Sequence, residues 1–238
     1  CPTCPSAGHP INFATGNMYE VEVDLDLGGP GLPLRYLRYY NSQNESDGPL
    51  GYGWTGSFSE RLTVEADRIV LREASGREVH FPDDGSGTFV SEADRVRTIV
   101  ALGDGHLLTE PDGRTLSFDA AGKLVQIADR NGNAQTVAYD ANGRIAAVTD
   151  DFGRQLVFSH DAAGKLATLT TPAGNFVYAR VGDNLATATR PDGTFREYRY
   201  EDPNDPHNLT GVVDENGTLF VEFAYDDRDR AVRSTHLD

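Results

Sequence analysis

A short sequence unit that returns along the C-terminal half of the chain constrains the fold more than any other feature. The unit reads Tyr139-Asp140-Ala141-Asn142-Gly143-Arg144-Ile145, with altered copies from Phe118 and His160 and looser copies at Tyr178, Tyr200 and Tyr225. A second set of turns ends in glycines spaced by 19, 21, 21, 19 and 24 residues, at Gly113, Gly132, Gly153, Gly174, Gly193 and Gly217. A period near twenty residues with two turns fits two short strands and excludes two ordinary helices.

The residues before each aromatic–aspartate pair alternate with period two. Leu116 and Phe118 show the pattern, and so do Val137 and Tyr139. Side chains alternate across a strand, so these residues share one face, which a single repeat cannot bury without its neighbours. We therefore predict an all-β fold, a meander of antiparallel hairpins that forms a twisted, curled strip with a small N-terminal β cap.

The strand after each turn follows a different spacing, because Leu124 and Ile127 are three residues apart. We interpret this as a β-bulge or a change of face. The turn glycines are expected to adopt positive φ. Asp229 stands at the glycine position of the last copy, so we expect a longer or differently shaped turn there. The residues predicted to have a structural role in the repeats are Phe118, Asp119, Gly122, Tyr139, Asp140, Gly143, Arg144, His160, Asp161, Gly164, Tyr178, Tyr200, Tyr225 and Asp226.

The first sixty residues do not show this period. Glutamates, aspartates, valines and leucines alternate between Glu20 and Leu27, which predicts a strand with a solvated acidic face and an aliphatic inner face. Tyr52, Trp54 and Phe58 are predicted to form the core of a small β domain. A carbohydrate platform is the alternative interpretation of this aromatic cluster.

These patterns divide the chain into four segments. Residues 1–7 form a tail with the Cys1-Pro2-Thr3-Cys4 motif, 8–62 a β cap, 63–110 degenerate β repeats and 111–238 the regular repeats. The two cysteines are candidates for a disulfide, within or between chains. A zinc site would need a second cysteine pair or spaced histidines, and the nearest histidine is a lone His9.

The charge of the chain restricts its partners. A net charge of −16 argues against nucleic acid and anionic membranes, and it favours solubility or attraction for a basic partner. The chain has no apolar run of the roughly 18 residues that span a bilayer, so membrane insertion is not expected. Nucleophile-elbow, zincin, P-loop, dinucleotide and EF-hand motifs are also absent, so we expect neither a cofactor nor an enzyme.

The unit from Tyr139 to Ile145, followed by a further glycine turn, resembles the YD repeat of Rhs proteins. Upstream, Gly8-His9-Pro10-Ile11-Asn12, Leu32-Pro33-Leu34, Arg38-Tyr39-Tyr40 and the run from Gly48 to Trp54 resemble the domain that precedes those repeats. The two resemblances occur in the order expected for the family.

In Rhs proteins the repeats wind into a hollow shell around a C-terminal toxin, and many are exported by type VI secretion or displayed on the bacterial surface. This sequence contains neither the family's self-cleavage motif nor a toxin, so neither activity is carried over. The resemblance implies a secreted or cell-surface, non-catalytic module that forms the cap and first repeats of such a shell.

A secreted or surface-exposed adhesion protein that binds carbohydrate and forms filaments is the alternative. Expected partners are further repeats or other chain copies at open sheet edges, and a basic toxin domain. The location of Phe158, Phe176, Tyr198 and Phe223 separates the two functions. A closed interior favours the shell, and a solvent-facing groove favours sugar binding.

Overall fold

The computed structural model describes residues 6–7, 11–12, 14–29 and 31–237. In that part of the chain every regular element is a β-strand. The strands are β1 (Ser6–Ala7), β2 (Ile11–Asn12), β3 (Asn17–Leu27), β4 (Leu34–Asn41), β5 (Asp47–Gly48), β6 (Gly51–Tyr52), β7 (Trp54–Gly56), β8 (Arg61–Val64), β9 (Arg68–Arg72), β10 (Glu78–Pro82), β11 (Thr88–Val90), β12 (Thr98–Leu102), β13 (Gly105–Thr109), β14 (Thr115–Phe118), β15 (Leu124–Ala128), β16 (Ala134–Tyr139), β17 (Ile145–Asp150), β18 (Gln155–His160), β19 (Leu166–Thr171), β20 (Gly174–Val181), β21 (Asn184–Thr189), β22 (Phe195–Arg199), β23 (Gly211–Val213), β24 (Leu219–Tyr225) and β25 (Ala231–His236). Cys1, Cys4 and His9 lie outside the described residues.

The strands form antiparallel sheets in which neighbours in sequence are neighbours in space. The longest sheet has fifteen strands, β11 to β25, in chain order. The cap strands form a sheet of order β1-β2-β3-β4-β7, β8 to β10 form a three-stranded sheet, and β5 pairs with β6. The predicted all-β meander of hairpins is confirmed. The long sheet begins at Thr88, upstream of residue 111, where we placed the start of the regular repeats.

By compactness the chain divides into two units, which are described separately. The first unit comprises Cys1–Asp24, Leu37–Gly56 and Phe158–Asp238, and the second comprises Leu25–Tyr36 and Ser57–Val157. Each unit contains part of the cap and part of the repeats. Strands β3, β4 and β18 contribute residues to both units.

The spacing of three after each turn is a β-bulge, as predicted. Phe118 pairs with Leu124 while Ser117 pairs with Gln126, so β15 has one extra residue. The same shift separates Ala138 from Tyr139 and Ala224 from Tyr225. Leu124 and Ile127, three residues apart on β15, pair with Phe118 and Leu116, two residues apart on β14. The extra residue therefore places all four apolar side chains on the same face.

Each repeat turn is closed by its aspartate as well as by its glycine. Oδ1 of Asp140 accepts hydrogen bonds from the backbone N–H groups of Asn142 and Arg144, both at 2.9 Å. Gly143 has φ 75° and donates its N–H to the carbonyl of Asp140 at 2.9 Å. Since only glycine adopts this φ at little cost, the glycine sets the turn and the carboxylate caps its N–H groups.

The expectation of a different turn at Asp229 was wrong. Asp229 adopts φ 54° and donates its N–H to the carbonyl of Asp226 at 3.2 Å. Asp226 donates to the carbonyl of Arg230 at 2.9 Å, as the equivalent residues do in the other turns. Aspartate is among the few residues besides glycine that tolerate the left-handed region, so the turn keeps its shape.

The prediction for β3 was also wrong, because three of its four acids, Glu20, Glu22 and Asp24, face inward. Glu20 and Glu22 are buried, whereas Val21 and Val23 are 40% and 51% exposed. The order reverses after Asp24, where Leu25 is buried and Asp26 is exposed. Glu22 and Asp24 have partners elsewhere in the fold, as described below, and burial of paired charges can be tolerated.

Candidate functional site

In the first unit, cap strands pack on the apolar face of the repeat strands. A buried polar cluster connects the two sets of strands. We call this cluster the cap junction and define it as Asp24, Arg38, Trp54, Tyr178 and Tyr198. The first three residues come from β3, β4 and β7 of the cap, and the two tyrosines come from β20 and β22 of the repeats. Tyr178 and Tyr198 lie on the buried face of their strands because side chains alternate along a strand.

Arg38 is the centre of the cap junction. Its Nε and Nη2 donate to the two carboxylate oxygens of Asp24 at 2.7 and 2.9 Å, and its Nη1 donates to the Tyr198 hydroxyl at 3.0 Å. The guanidinium carbon lies 5.3 Å from the ring centroid of Trp54 and 5.5 Å from those of Tyr178 and Tyr198. Arg38 therefore combines a two-pronged ion pair with three cation–π contacts.

The charges of the cap junction are matched internally. Burial is the largest single effect on Arg38 and lowers its pKa, but the charge and hydrogen bond of Asp24, together with Tyr198 and Tyr178, raise that pKa well above its usual value. Burial raises the pKa of Tyr198, so its hydroxyl stays protonated. Tyr178 donates its hydroxyl to Asp24 at 2.6 Å. Such an arrangement holds strands together, because its proton-bearing groups are engaged with one another.

Two further contacts extend the cap junction along the repeats. Trp54 donates its indole N–H to the Tyr200 hydroxyl at 2.8 Å. The Tyr40 hydroxyl accepts from the N–H of Leu209 and donates to the carbonyl of His207, both at 3.0 Å. Tyr40, Trp54 and Leu209 are fully buried, so cap and repeat residues form one continuous core in this unit.

A second, part-buried ion pair explains why Glu22 of β3 faces inward. Nη1 of Arg196, on β22, donates to both carboxylate oxygens of Glu22 at 2.8 Å. Its Nε donates to Glu215 at 3.0 Å. The attraction of both glutamates raises the pKa of Arg196 against the opposing effect of burial. Glu22 is thus paired across 174 residues of sequence, which a local pattern could not reveal.

Backbone hydrogen bonds join cap loops to the ends of the repeat hairpins. Gly122 lies against the cap backbone in the second unit, and a Cβ atom there would collide with the carbonyl of Leu62. In the second unit the N–H of Leu62 donates to the carbonyl of Gly122 at 2.8 Å. In the first unit three N–H groups donate to carbonyls: Leu166 to Pro49 at 2.8 Å, Tyr52 to Asp183 at 2.7 Å and Ala231 to Gly16 at 2.7 Å.

The predicted cap-core residues occupy two environments. Trp54 and Phe58 are buried. Tyr52 is half-buried, and its ring stacks on that of His207 with centroids 3.9 Å apart. His207 belongs to the insertion after β22, so Tyr52 contacts a loop where Trp54 contacts the sheet.

The signature tyrosines connect consecutive repeats, a role that sequence reasoning missed. The Tyr139 hydroxyl donates to the carbonyl of Leu124 at 2.7 Å, and the Tyr225 hydroxyl donates to that of Leu209 at 2.9 Å. Each acceptor lies about fifteen residues upstream, in the preceding repeat. The half-buried tyrosine therefore contributes a hydrogen bond between repeats in addition to the packing of its ring.

In the looser repeat copy that the sequence assigned to Tyr178, a different residue occupies the position of the signature tyrosine. Arg180 pairs with Leu185 next to a bulge, which is the register position of Tyr139. Nη1 of Arg180 donates to the carbonyl of Leu166 at 3.3 Å, in place of the tyrosine hydroxyl. Tyr178 lies two residues earlier and joins the cap junction instead. The two-residue Gly182-Asp183 turn was the sequence signal for this shift.

The remaining predicted repeat residues form turns or strand ends. Phe118 is buried, and His160 ends β18 at half exposure. Gly122 and Gly164 have φ 75° and 81°, and Nε of Arg144 donates to Asp140 at 2.7 Å. The carboxylates of Asp119, Asp161 and Asp226 cap their turns as Asp140 does.

Neither a metal-ligating cluster nor a membrane-spanning helix occurs among the residues that the structure describes. These residues contain no group of three or more histidine, cysteine, aspartate or glutamate side chains placed to hold a metal ion. They also contain no helix that is long and apolar enough to cross a membrane.

Comparison with known families gives two matches in the order seen in the fold. Residues 8–81 match the model described as Domain of unknown function (DUF6531), which covers the cap and strands β8 to β10. Residues 139–175 match the model described as RHS Repeat, which covers strands β17 to β19.

Several curated proteins are similar to parts of the chain. Double-stranded DNA deaminase toxin A of Burkholderia cenocepacia is 34% identical over 117 residues, which are 47% of this chain and 7% of that protein. Probable deoxyribonuclease RhsA of Dickeya dadantii is 37% identical over 76 residues, 30% of this chain and 5% of its own length. tRNA nuclease WapA of Bacillus subtilis is 30% identical over 126 residues, 52% of this chain and 5% of its own.

The matched region is thus a small fraction of each relative, between 5% and 7% of its length. The family matches coincide with the cap sheet and with the bulged hairpins whose tyrosines bond from repeat to repeat. Motif, register and similarity agree that residues 139–175 are an RHS repeat and that the chain is similar to Rhs/YD-repeat proteins in both its cap and its repeats.

Proposed function

We propose that this chain forms the N-terminal cap and first repeats of an Rhs-type shell that encloses a C-terminal toxin and helps to deliver it. The cap junction is the observation that carries this proposal. In the first unit the buried ion pair of Arg38 with Asp24 anchors the cap to the repeats. Arg38 donates a hydrogen bond to Tyr198, and Asp24 accepts one from Tyr178. A cap held in this way covers the apolar repeat face at β20 and β22.

The burial of the repeat aromatics favours the shell function over the alternative, in which the face that carries these aromatics binds carbohydrate. Phe158, Phe176, Tyr198 and Phe223 are all buried. A solvent-facing aromatic groove would be needed for sugar binding along this ladder, and these four rings do not provide one. The ladder serves as a core, which is the property that a shell wall requires.

In this proposal the chain is structural and non-catalytic. The names of the relatives describe a deaminase toxin and nucleases, and those activities belong to those proteins. This chain matches 5% to 7% of their length, so we assign the catalytic activity to regions outside the match. We assign the chain to a bacterial protein that is secreted or displayed at the cell surface.

The proposed partners follow from the sheet edge and the charge. In the described chain β25 is the last strand of the long sheet and forms a ladder with β24, while on its other side Ala231 donates its N–H to the carbonyl of Gly16. A further repeat of the same polypeptide or a second copy would continue the meander there, because an open edge presents unpaired N–H and C=O groups. The net charge of −16 favours a basic toxin domain as the enclosed partner.

Limited proteolysis of the full gene product tests this function. We expect the wild-type polypeptide to protect a C-terminal domain from protease, and Arg38→Ala to expose it, because the variant loses the central residue of the cap junction. Arg35→Ala is the matched control, since Arg35 pairs with Asp26 at the surface. Two results would contradict the proposal. One is a gene product that has no C-terminal domain. The other is equal cleavage of that domain in the wild type, Arg38→Ala and Arg35→Ala.

A further inference from the structure

Glu60 carries a buried carboxylate oxygen that neither the cap junction nor the repeat turns use. Among the described residues, its Oε2 atom has no hydrogen-bond partner. Glu60 directly precedes β8, in which Leu62 donates its N–H to the carbonyl of Gly122 at 2.8 Å. A charged oxygen that is shielded from water and unbonded costs free energy, whereas a protonated carboxyl costs much less. The folded chain therefore favours the neutral form of Glu60.

The charges around Glu60 oppose its ionisation. Glu73 follows β9 and Glu110 follows β13, and both repel a negative charge on Glu60. Arg114 attracts that charge, but this arginine is exposed, so water screens the attraction. Tyr139, on β16, also interacts with Glu60 electrostatically. Its hydroxyl donates to a backbone carbonyl and stays protonated, because burial raises its pKa to about 12. The surroundings of Glu60 thus hold an excess of negative charge.

Two other cations of the second unit are engaged with different partners. Arg97, which precedes β12, donates from Nη1 to Glu73 at 2.8 Å and from Nε to Asp94 at 2.6 Å. Lys123, in the turn between β14 and β15, donates from Nζ to the carbonyl of Gly143 at 3.2 Å. Both cations have their own acceptors, so neither balances the unbonded oxygen.

The proton on Glu60 makes the stability of this region depend on pH. Burial is the largest effect and raises the pKa of Glu60 to about 7, and the two neighbouring glutamates act in the same direction. A glutamate in an unfolded chain has a pKa of about 4.3. A carboxyl whose pKa is higher when folded stabilises the folded state fully below its unfolded pKa, and this contribution is lost as the pH rises through the folded pKa. The loss therefore occurs between about pH 4 and pH 7.

We propose that Glu60 is a proton-sensitive latch between β8 and the repeats of the second unit. While Glu60 is protonated, its side chain stays buried and the bond from Leu62 to Gly122 holds β8 in place. When Glu60 loses the proton, its carboxylate is stabilised by reaching water, which requires the segment from Glu60 to Leu62 to move. The bond to Gly122 then breaks, and β8 opens locally. This latch is separate from the cap junction and does not depend on the shell function.

Hydrogen exchange followed by mass spectrometry tests the latch in the full chain. Exchange of peptides that cover residues 60–64 is measured from pH 5 to pH 8 and corrected for the intrinsic effect of pH on exchange. In the wild type we expect the protection of these residues to fall by at least about tenfold over this range. Glu60→Gln should keep its protection, since glutamine has the shape of the protonated acid and does not ionise. Glu60→Met should do the same, because it places an apolar side chain of similar length there.

Glu65→Gln is the matched control. Glu65 follows β8 at the surface, where it pairs with Arg68 at 2.6 Å and its side chain is 39% exposed. This variant removes a nearby carboxylate that is already in contact with water. It should therefore keep the pH dependence of the wild type.

Either of two results would overturn the inference. One is a corrected protection of residues 60–64 that is the same at pH 5 and pH 8 in the wild type. The other is the same loss of protection in Glu60→Gln and Glu60→Met as in the wild type, which would assign the pH dependence to a different group. Neither result bears on the protease protection that tests the shell.

Discussion

Arg35 and Arg38 are three residues apart on β4, and each pairs with an aspartate of β3 at 2.7 Å. Their side chains are 54% and 2% exposed. At the surface, water screens the pair and side-chain entropy opposes it. In the core, removing one partner leaves the other charge buried and unpaired. The same chemistry at the same distance therefore has two different consequences for stability.

This contrast predicts the effect of each substitution. Arg38→Ala should lower the free energy of unfolding by about 3–5 kcal/mol, because Asp24 would remain buried without its cation. Arg35→Ala should lower it by less than about 1 kcal/mol. Urea denaturation followed by tryptophan fluorescence and circular dichroism measures both values. Similar losses for the two variants would show that Arg38 is not buried as described.

The turn aspartates predict a dependence of stability on pH. Hydrogen bonds from the backbone and side chain of Arg144 lower the pKa of Asp140 to about 2, and the side chain of Arg230 lowers that of Asp226 to about 2. A carboxyl whose pKa is lower when folded favours the folded state above its unfolded pKa, which is about 3.9. This contribution is lost as the pH falls towards the folded pKa.

We therefore expect stability to decline between about pH 4 and pH 2 as these carboxylates are protonated. Urea midpoints measured across that range test the decline. Asp140→Asn keeps an acceptor oxygen for the turn but cannot titrate, so its curve should be flatter than that of the wild type. A wild-type midpoint that stays constant down to pH 2 would contradict the capping role of the aspartates.

At the scale of elements, the repeat hairpins have equivalent turns with different neighbours. Gly122 and Gly143 both have φ 75°. A Cβ at Gly143 would meet the flexible end of the Lys123 side chain, whereas a Cβ at Gly122 would meet the backbone carbonyl of Leu62. Only the first neighbour can move aside without disturbing the cap.

Alanine substitutions should separate these two effects. Gly143→Ala should cost about 1–2 kcal/mol, because a non-glycine residue is strained at this φ. Gly122→Ala should cost clearly more, since it also displaces the cap backbone that bonds to Gly122. Thermal melts of both variants measure the difference. If Gly122→Ala and Gly143→Ala lower the stability by the same amount, Leu62 does not stay close to the Gly122 turn in solution.

The two faces of one strand give a third comparison. Phe176 is 4% exposed and its neighbour Val177 is 45% exposed on β20. Phe176→Ala should cost about 3–5 kcal/mol through lost burial and the cavity left behind, and Val177→Ala less than about 1 kcal/mol. Chemical denaturation of the pair tests which face is the core. A larger loss for Val177→Ala would reverse the assignment of faces.

The sequence was sufficient to predict the hairpins and their bulges, because turn chemistry and period-two alternation are local properties. It was insufficient for β3, where alternation alone placed the acids on the outside. Glu22 faces inward because it pairs with Arg196, and Asp24 because it pairs with Arg38 and Tyr178. Such partners, up to 174 residues away, leave no mark in the local pattern.

At the scale of the molecule, the account depends on contacts between distant parts of the sequence. Within the first unit, 160 residues separate Arg38 from Tyr198, and 146 separate Trp54 from Tyr200. The repeats form local hairpins, but the cap reaches its place through long-range contacts. The family resemblance indicated that a cap precedes repeats, and it did not indicate which residues connect them.

A double-mutant cycle between Trp54 and Tyr200 tests most directly whether the cap is packed on the repeats. Trp54→Phe and Tyr200→Phe each remove one partner of the 2.8 Å hydrogen bond and keep an aromatic ring. The free energy of unfolding is measured for the wild type, both single variants and the double variant. We predict a coupling energy of about 1 kcal/mol, as expected for a side-chain hydrogen bond that is largely shielded from water. A coupling energy indistinguishable from zero would mean that the cap does not contact the repeats at this site, and would contradict the account.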